Sequence, residues 1–284
     1  MAGKETLADR AAELSWYHTI ELPGGVRTEG FYDTVTAARR LPLPPSLAGK
    51  RCLDVGTSDG FWAFEMERRG AAEVVAIDVN DPASYDWPDP APADAGVPAN
   101  REPGANPAFE LAHEALGSSV ERVNLNVYDV SPEELGRFDF VFMGALMLHL
   151  RDPVAALRAV RTVVGGEFLS SDAISLWSTL THPGFAAAAL DGRDKPRWWT
   201  PNLTGYRRML EAAGFEILSS GGPFFTPFGK GLGRATRPRE LRPDRRLRHG
   251  LAVLRFELVM RRLGAPSAWA LCRPNPAVST PGAA

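Results

Sequence analysis

The sequence predicts an α/β protein whose core is a seven-stranded, mostly parallel β-sheet with helices on both faces. Short apolar stretches alternate with stretches of helical periodicity between residues 50 and 219, and this alternation is typical of parallel strands joined by right-handed crossovers. With 284 residues, of which 44% are hydrophobic and 23% charged, the chain has the length and composition of a soluble protein with a substantial core.

The predicted strands and helices follow one another in a regular order. Six apolar stretches have the length and residue content of buried strands. They are 51–55, 73–77, 123–127, 138–142, 166–171 and 215–219, and a seventh strand is expected at the sheet edge over 268–271. Helical stretches carry periodic apolar residues, as Phe61, Phe64 and Met66 do after the first strand. The predicted helices are 60–69, 109–116, 153–164 and 203–213, the last ended by Gly214.

Composition divides the chain into a central domain and two flanking parts. Residues 1–49 are expected to form a cap or lid that ends in the proline-rich stretch 41–45, and residues 50–221 the sheet domain. Within the domain, 89–107 is too rich in Pro, Ala and Gly for regular structure, and 172–201 is expected to be irregular. The C-terminal part is 222–274, with an arginine-rich stretch at 234–248 and a helix at 251–263, followed by a disordered tail at 275–284.

Charge and cysteine content exclude several classes of protein. The formal net charge is −2, which gives no general attraction to nucleic acids or membranes. No stretch is apolar enough to span a bilayer and the N-terminus has no apolar signal core, so we expect a cytoplasmic protein without a membrane partner. Cys52 and Cys272 are far apart and lack metal-ligand spacing, so neither a disulfide nor a metal site is expected.

Candidate ligand-binding residues follow three successive strands. Gly56 and Gly60 lie in the turn after the first strand, where glycine lets the backbone pass close to a ligand beside a helix N-terminus. Asp78 ends the second strand, where a carboxylate can bind a ribose diol, and Asp129 after the third is placed for an adenine amino group. A nicotinamide cofactor would require a fuller glycine motif, so the pattern favours S-adenosylmethionine (SAM).

Short motifs carry a family resemblance. They lie at 53–56, 70–71, 76–78, 138–144, 149, 152–153, 199–202 and 213–215, with looser matches at Thr28, Glu29 and Asp33. Over residues 50–215 these motifs resemble the tRNA wobble-uridine carboxymethyltransferase-like branch of the class I methyltransferases, whose sheet is Rossmann-like. The resemblance implies a SAM pocket lined by Gly56, Asp78, Val79, Tyr128, Asp129 and Met143. Asp54, Gly60 and Gly144 adjoin the same turn and strand end and are further candidates, although Asp54 could instead hold the glycine turn.

The sequence departs from that family at the residues that bind the carboxymethyl group. Members hold the extra carboxylate with a lysine, a tyrosine and an arginine, whereas here Met147 occupies the tyrosine position and 22–27 contains no lysine. A buried charge without partners is costly, so we expect plain SAM as the cofactor. The segment before the first strand is also shorter than in those tRNA enzymes, which favours a different acceptor.

Two histidines are candidates for a general base, which methyl transfer needs only when the acceptor must lose a proton. His149 follows the fourth strand on the side expected to hold the methyl group, and His18 lies in a segment able to fold over the pocket. The alternative is that both are structural. Met147, Trp198 and Trp199 are candidates for the acceptor site, and packing of a lid is the alternative for the two tryptophans.

The sequence therefore predicts a SAM-dependent methyltransferase. The near-neutral charge and the missing carboxylate-binding set favour an oxygen of a small or mid-sized molecule as the acceptor. A tRNA-modifying methyltransferase and a SAM-binding protein without catalysis are the alternatives. The arginines at 234–248 are consistent with binding to phosphates or with a solvated segment.

Overall fold

The computed structural model describes residues 5–81, 84–88, 106–191, 196–232 and 262–278. Its strands are β1 (Trp16–His18), β2 (Gly30–Tyr32), β3 (Arg51–Val55), β4 (Glu73–Asp78), β5 (Glu121–Asn124), β6 (Phe138–Gly144), β7 (Val164–Ala173), β8 (Ala188–Leu190), β9 (Trp199–Pro201), β10 (Phe215–Thr226) and β11 (Ala265–Pro274). Its α-helices are α1 (Leu7–Glu13), α2 (Thr34–Ala38), α3 (Phe61–Arg68), α4 (Pro107–Leu116), α5 (Pro132–Leu135), α6 (Pro153–Val163), α7 (Leu176–Thr181) and α8 (Leu203–Ala212).

Seven of these strands form one sheet, which confirms the predicted fold class. The strand order is β10-β11-β7-β6-β3-β4-β5, in which β11 is antiparallel to both neighbours and the pairs from β7 to β5 are parallel. The chain runs outward from β3 through β4 to β5 and then returns to β6 on the other side of β3. The crevice between the carboxyl ends of β3 and β6 is therefore a topological switch point, where α/β sheets bind ligands.

Apolar side chains on both faces of the sheet form two cores. Along β3, Cys52 packs on one face and Leu53 on the other, and Phe142 and Met143 alternate in the same way along β6. Helices α6 and α8 cover the face that contains Leu53, whereas α3, α4 and the N-terminal segment cover the opposite face. The central strands are buried on both faces, which explains their continuous apolar runs.

Three elements differ from the prediction. The seventh strand, β11, lies inside the sheet rather than at its edge, because it pairs with β7 on one side and with β10 on the other. Both of its faces are covered, since Ala270 packs into one core and Trp269 against the other. The third strand ends at Asn124, and a one-turn 3-10 helix follows over Val127–Asp129. The stretch 172–201, predicted to be irregular, contains α7 and the antiparallel pair of β8 and β9.

The flanking parts are described only in part. The N-terminal segment forms α1, α2 and a small parallel pair of β1 and β2. Most of the predicted loop 89–107, the arginine-rich stretch 234–248 and most of the helix at 251–263 lie outside the described residues. Residues 275–278 of the predicted disordered tail form a turn, in which the Val278 N–H donates to the Asn275 carbonyl at 3.1 Å, and the Asn275 N–H attaches this turn to the Gly214 carbonyl at 2.9 Å. Within the described ranges, no helix has the length and apolar character needed to cross a membrane.

Candidate active site

A cavity of about 210 Å³ lies at the switch point. Its walls come from the N-terminal segment, the turn after β3, the end of β4 and the loops that follow β5 and β6. The lining residues are 14–17, 31, 56, 58–59, 77–79, 84–87, 106–108, 125–127, 144–146 and 149–150. Of the site residues predicted from the sequence, Gly56, Asp78, Val79, Gly144 and His149 belong to this lining.

The turn between β3 and α3 brings the backbone of Gly56, which has no side chain, to the cavity. Gly56 has a φ of 76° and Gly60 a φ of 92°, a conformation that favours glycine. A Cβ on Gly56 would lie 3.0 Å from the side chain of Leu146, so a larger residue would press into the cavity wall. The N–H groups of Gly56 and Thr57 donate to the carbonyl of Ile77 at 2.9 and 3.1 Å, which fixes the turn to the end of β4.

Asp78 joins this turn to β4 through its side chain. Oδ2 accepts the Ser58 N–H at 2.7 Å, and Oδ1 accepts the Val79 N–H at 2.8 Å. The residue is half-buried and lines the cavity, and each carboxylate oxygen retains capacity for a further donor. A fixed acceptor beside the bare backbone of Gly56 fits the ribose diol of a nucleoside, so the residues present fit SAM.

The next strand end presents an amide instead of the predicted carboxylate. Because β5 ends at Asn124, the residue that reaches the cavity is Asn126, whereas Asp129 is exposed and outside the lining. The Asn126 Oδ1 accepts the Tyr128 N–H at 3.1 Å, which orients its amide group. Asn126, and not Asp129, therefore lies in the cavity lining after this strand.

His149 ends the one-turn helix Met147–His149 after β6, and it lines the cavity. Its Nδ1 hydrogen-bonds the carbonyl of Pro196. Since a carbonyl can only accept, Nδ1 carries the proton and Nε2 keeps a lone pair. Burial lowers the pKa of His149, the Pro196 carbonyl opposes this shift, and Arg197 adds to the lowering. The side chain is therefore a neutral imidazole at pH 7, the form that can accept a proton.

His18 is buried and lies outside the cavity lining, so the structure does not bring it to the predicted acceptor site. Its Nδ1 pairs with Oδ1 of Asp59. The other carboxylate oxygen, Oδ2, accepts the N–H groups of Tyr17 and His18 at 2.7 and 2.9 Å. Asp59 lies in the glycine turn, so these bonds attach β1 to that turn. They also bring Tyr17 into the lining, and no motif in the sequence indicated this residue.

Asp172 fixes the loop that carries His149 and was not among the predicted site residues. Its buried carboxylate accepts the Met147 N–H at 2.8 Å, and the N–H groups of Leu146 and Leu148 also contribute. Burial raises the pKa of Asp172 to about 7, although these donors oppose the shift. Asp172 directly follows a predicted apolar strand, as Asp78 does, and this pattern identified Asp78 as a candidate. The sequence could therefore have indicated Asp172 as well.

Tyr128, Trp198 and Trp199 hold the cavity wall from outside. The Tyr128 hydroxyl donates to Asp86 Oδ2 at 2.7 Å, and Trp198 Nε1 donates to the Asp86 carbonyl at 2.5 Å. Trp199 Nε1 donates to the Arg151 carbonyl at 2.9 Å. None of the three aromatic residues lines the cavity. Tyr128 and Trp198 bind the lining residue Asp86 directly, and Trp199 binds Arg151, whose N–H donates to Asp86 Oδ2 at 2.7 Å.

Four further candidates are buried behind the cavity wall. Met143 and Met147 are 0% and 3% exposed and belong to the core beneath the sheet ends, outside the cavity lining. Burial raises the pKa of Asp54 to about 7, and this residue also lies outside the lining. Gly60 begins α3, where a Cβ would lie 2.5 Å from the ring of Phe64, so its glycine is required by packing.

Comparison with known proteins gives the family. Residues 29–220, more than half of the chain, match the model of a methyltransferase domain. A 119-residue segment is 32% identical to the ubiquinone biosynthesis O-methyltransferase of Acinetobacter baylyi, covering 42% of this chain and 40% of that protein. Over 176 residues the chain is 30% identical to a tRNA U34 carboxymethyltransferase of Pseudomonas aeruginosa, covering 60% and 46%. The matched parts are thus less than half the length of each relative.

Solved structures support the same fold. The [4+2]-cyclase SpnF has a TM-score of 0.52 at 18% identity, with 85% of this chain and 79% of that chain covered. The N-terminal domain of EvdMO1, in the presence of S-adenosylhomocysteine (SAH) and D-fucose, has a TM-score of 0.51 at 21% identity, with 78% and 92% covered. The match over residues 29–220, on a sheet with this strand order and a cavity at its switch point, means that the chain belongs to the methyltransferase domain family.

Proposed function

We propose that this protein transfers a methyl group from SAM to a hydroxyl oxygen of a small or mid-sized molecule, with His149 as the general base. The observation that carries the proposal is the neutral protonation state of the His149 imidazole and its position in the cavity lining. Its Nδ1 is bound to the Pro196 carbonyl, its pKa is lowered by burial, and the side chain lines the cavity that also contains Asp78. A neutral imidazole in that position is needed for an acceptor that must lose a proton.

Some residues of the cavity bind the cofactor, and His149 accepts the proton. When bound, SAM supplies an electrophilic methyl carbon on a sulfonium. The Asp78 carboxylate and the glycine turn hold the nucleoside, and Asn126 meets the adenine edge. The Nε2 atom of His149 would accept the proton that the acceptor hydroxyl loses on methylation. Alignment and exclusion of water are the main contributions of the protein to this displacement.

The test is turnover by a His149→Gln variant. The protein is incubated with SAM and a panel of hydroxylated acceptors, and SAH is quantified by mass spectrometry. Loss of a general base lowers kcat by about 10²- to 10⁴-fold, while the Kd for SAM should stay within about twofold. His182→Gln is the matched control, because His182 is exposed and outside the cavity lining. Full turnover by His149→Gln would refute the proposed base.

The relationship to tRNA U34 carboxymethyltransferase supports a second candidate, modification of tRNA. A filter-binding titration with bulk tRNA separates the two candidates. Micromolar affinity that falls steeply with salt would favour tRNA, because phosphate contacts make binding salt-dependent. SAM binding without SAH formation from tRNA or from any acceptor of the panel would instead indicate a non-catalytic SAM-binding protein.

A further inference from the structure

The charge of the cavity limits the acceptors that it can hold. Its lining contains Asp59, Asp78 and Asp86, and no lysine or arginine is present among the described lining residues. Arg197, whose charge lowers the His149 pKa, is paired with Asp191 at 3.1 Å and lies outside the lining. An acceptor that carries a carboxylate or phosphate would therefore find no lysine or arginine to pair with among the described lining residues, which is unfavourable.

The walls near His149 are aromatic and aliphatic. The His149 and Trp87 rings lie 6.3 Å apart between centroids. Phe31, Leu146 and Tyr17 also belong to the lining of the cavity. Flat apolar walls bury a planar ring well, but they offer few hydrogen-bond partners to the many hydroxyl groups of a sugar.

Tyr17 adds a phenol hydroxyl to the cavity lining. Its backbone N–H is bound to Asp59, and its ring makes an edge contact with Tyr32 at 5.3 Å between centroids. Its hydroxyl makes no hydrogen bond to any residue in the described ranges, although the side chain lines the cavity. A hydroxyl group at a ligand cavity that lacks a protein partner can donate to, or accept from, a second polar atom of the acceptor.

Taking these features together, we infer that the acceptor is an uncharged, planar aromatic alcohol, and that Tyr17 is a specificity-determining residue that binds a second oxygen on its ring. The inference rests on the proposed function. The acidity of phenols supports the inference, because the pKa of a phenol hydroxyl is about 10, whereas that of water is about 15.7. A neutral imidazole of lowered pKa is a weak base, and it can assist proton loss from a phenol more readily than from an aliphatic alcohol.

The experiment compares acceptors that differ in one group. With SAM, the protein is assayed for SAH formation with 2-naphthol, 2,3-dihydroxynaphthalene and 6-hydroxy-2-naphthoate. The two uncharged naphthols should be methylated with a kcat/KM at least tenfold above that of the carboxylate. Tyr17→Phe should raise KM for the dihydroxy compound by about tenfold and leave KM for 2-naphthol within twofold, whereas a merely structural role would change both.

A variant with an added charge gives an independent test. Phe31 is half-buried and lines the cavity, so Phe31→Lys should shift the preference toward the carboxylate by at least threefold at low salt, and Phe31→Leu should not. Equal or faster turnover of 6-hydroxy-2-naphthoate by the unmodified protein would overturn the inference and leave methyl transfer to oxygen intact. Methylation of sugars or aliphatic alcohols but of no naphthol would also overturn it. Absence of SAH formation from every hydroxyl acceptor would refute the proposed function itself.

Discussion

Replacement of Asp78 by alanine should weaken SAM binding without unfolding the protein. The carboxylate lines the cavity and is fixed by the N–H groups of Ser58 and Val79 at 2.7 and 2.8 Å. A hydrogen bond to a charged acceptor contributes about 1.5–3 kcal/mol. The loss of one bond to the ribose therefore corresponds to a Kd increase of about 10- to 150-fold. Because Ser58 also loses its partner, the glycine turn loosens and the measured loss should lie toward the upper end.

Isothermal titration calorimetry with SAM and with SAH measures this loss, and circular dichroism shows whether the fold is kept. Asp78→Asn retains one acceptor oxygen, so its Kd should fall between those of the alanine variant and the unmodified protein. Asp129→Ala is the matched control, because this carboxylate is exposed and outside the cavity lining. Unchanged affinity in a folded Asp78→Ala protein, or an equal loss in Asp129→Ala, would refute the assignment of the ribose contact.

Three further predictions concern packing, attachment and pH. Gly60→Ala should lower the free energy of unfolding by about 1–3 kcal/mol in urea titrations, since its Cβ would lie 2.7 Å from Phe109. Gly117→Ala should lower it by less, because Gly117 has open space around it. Asp59→Ala removes the acceptor of the β1 N–H groups, so limited proteolysis should cleave near β1 faster while the circular dichroism of the sheet is kept. Burial lowers the pKa of His149, so kcat should be flat at neutral pH and fall only as the pH drops through a value below the usual 6.5; an acid limb with its midpoint above 6.5 would contradict this.

The fold was largely predictable because local pattern determines most of its elements. The apolar run of β3 gave the same limits, 51–55, as the structure has, and glycine or proline punctuation bounded the neighbouring helices. The position of β11 could not be predicted in this way. An antiparallel strand enters the middle of a sheet because of tertiary packing against β7 and β10, and a short alternating stretch carries no information about its neighbours.

The site was predictable where it depends on strand ends and not where it depends on loops. Gly56 and Asp78 follow strands whose limits are clear, so their place in the cavity could be inferred. Asp129 lies outside the cavity lining because the strand ends earlier than its apolar pattern suggests, and Asn126 lies at the cavity instead. His18 and Tyr17 are neighbours in a strand, where successive side chains point to opposite faces, and only the fold determines which one reaches the cavity.

The bonds of Asp59 have a thermodynamic consequence. This carboxylate belongs to the turn that is proposed to hold the nucleoside, and it binds the strand that carries Tyr17 into the cavity lining. If a ligand orders the glycine turn, less conformational entropy remains to be lost when β1 becomes ordered. The reverse also holds, because such coupling is reciprocal. Occupancy of the nucleoside half should make the N-terminal strand more resistant to hydrogen exchange, and an acceptor should in turn slow release of the nucleoside.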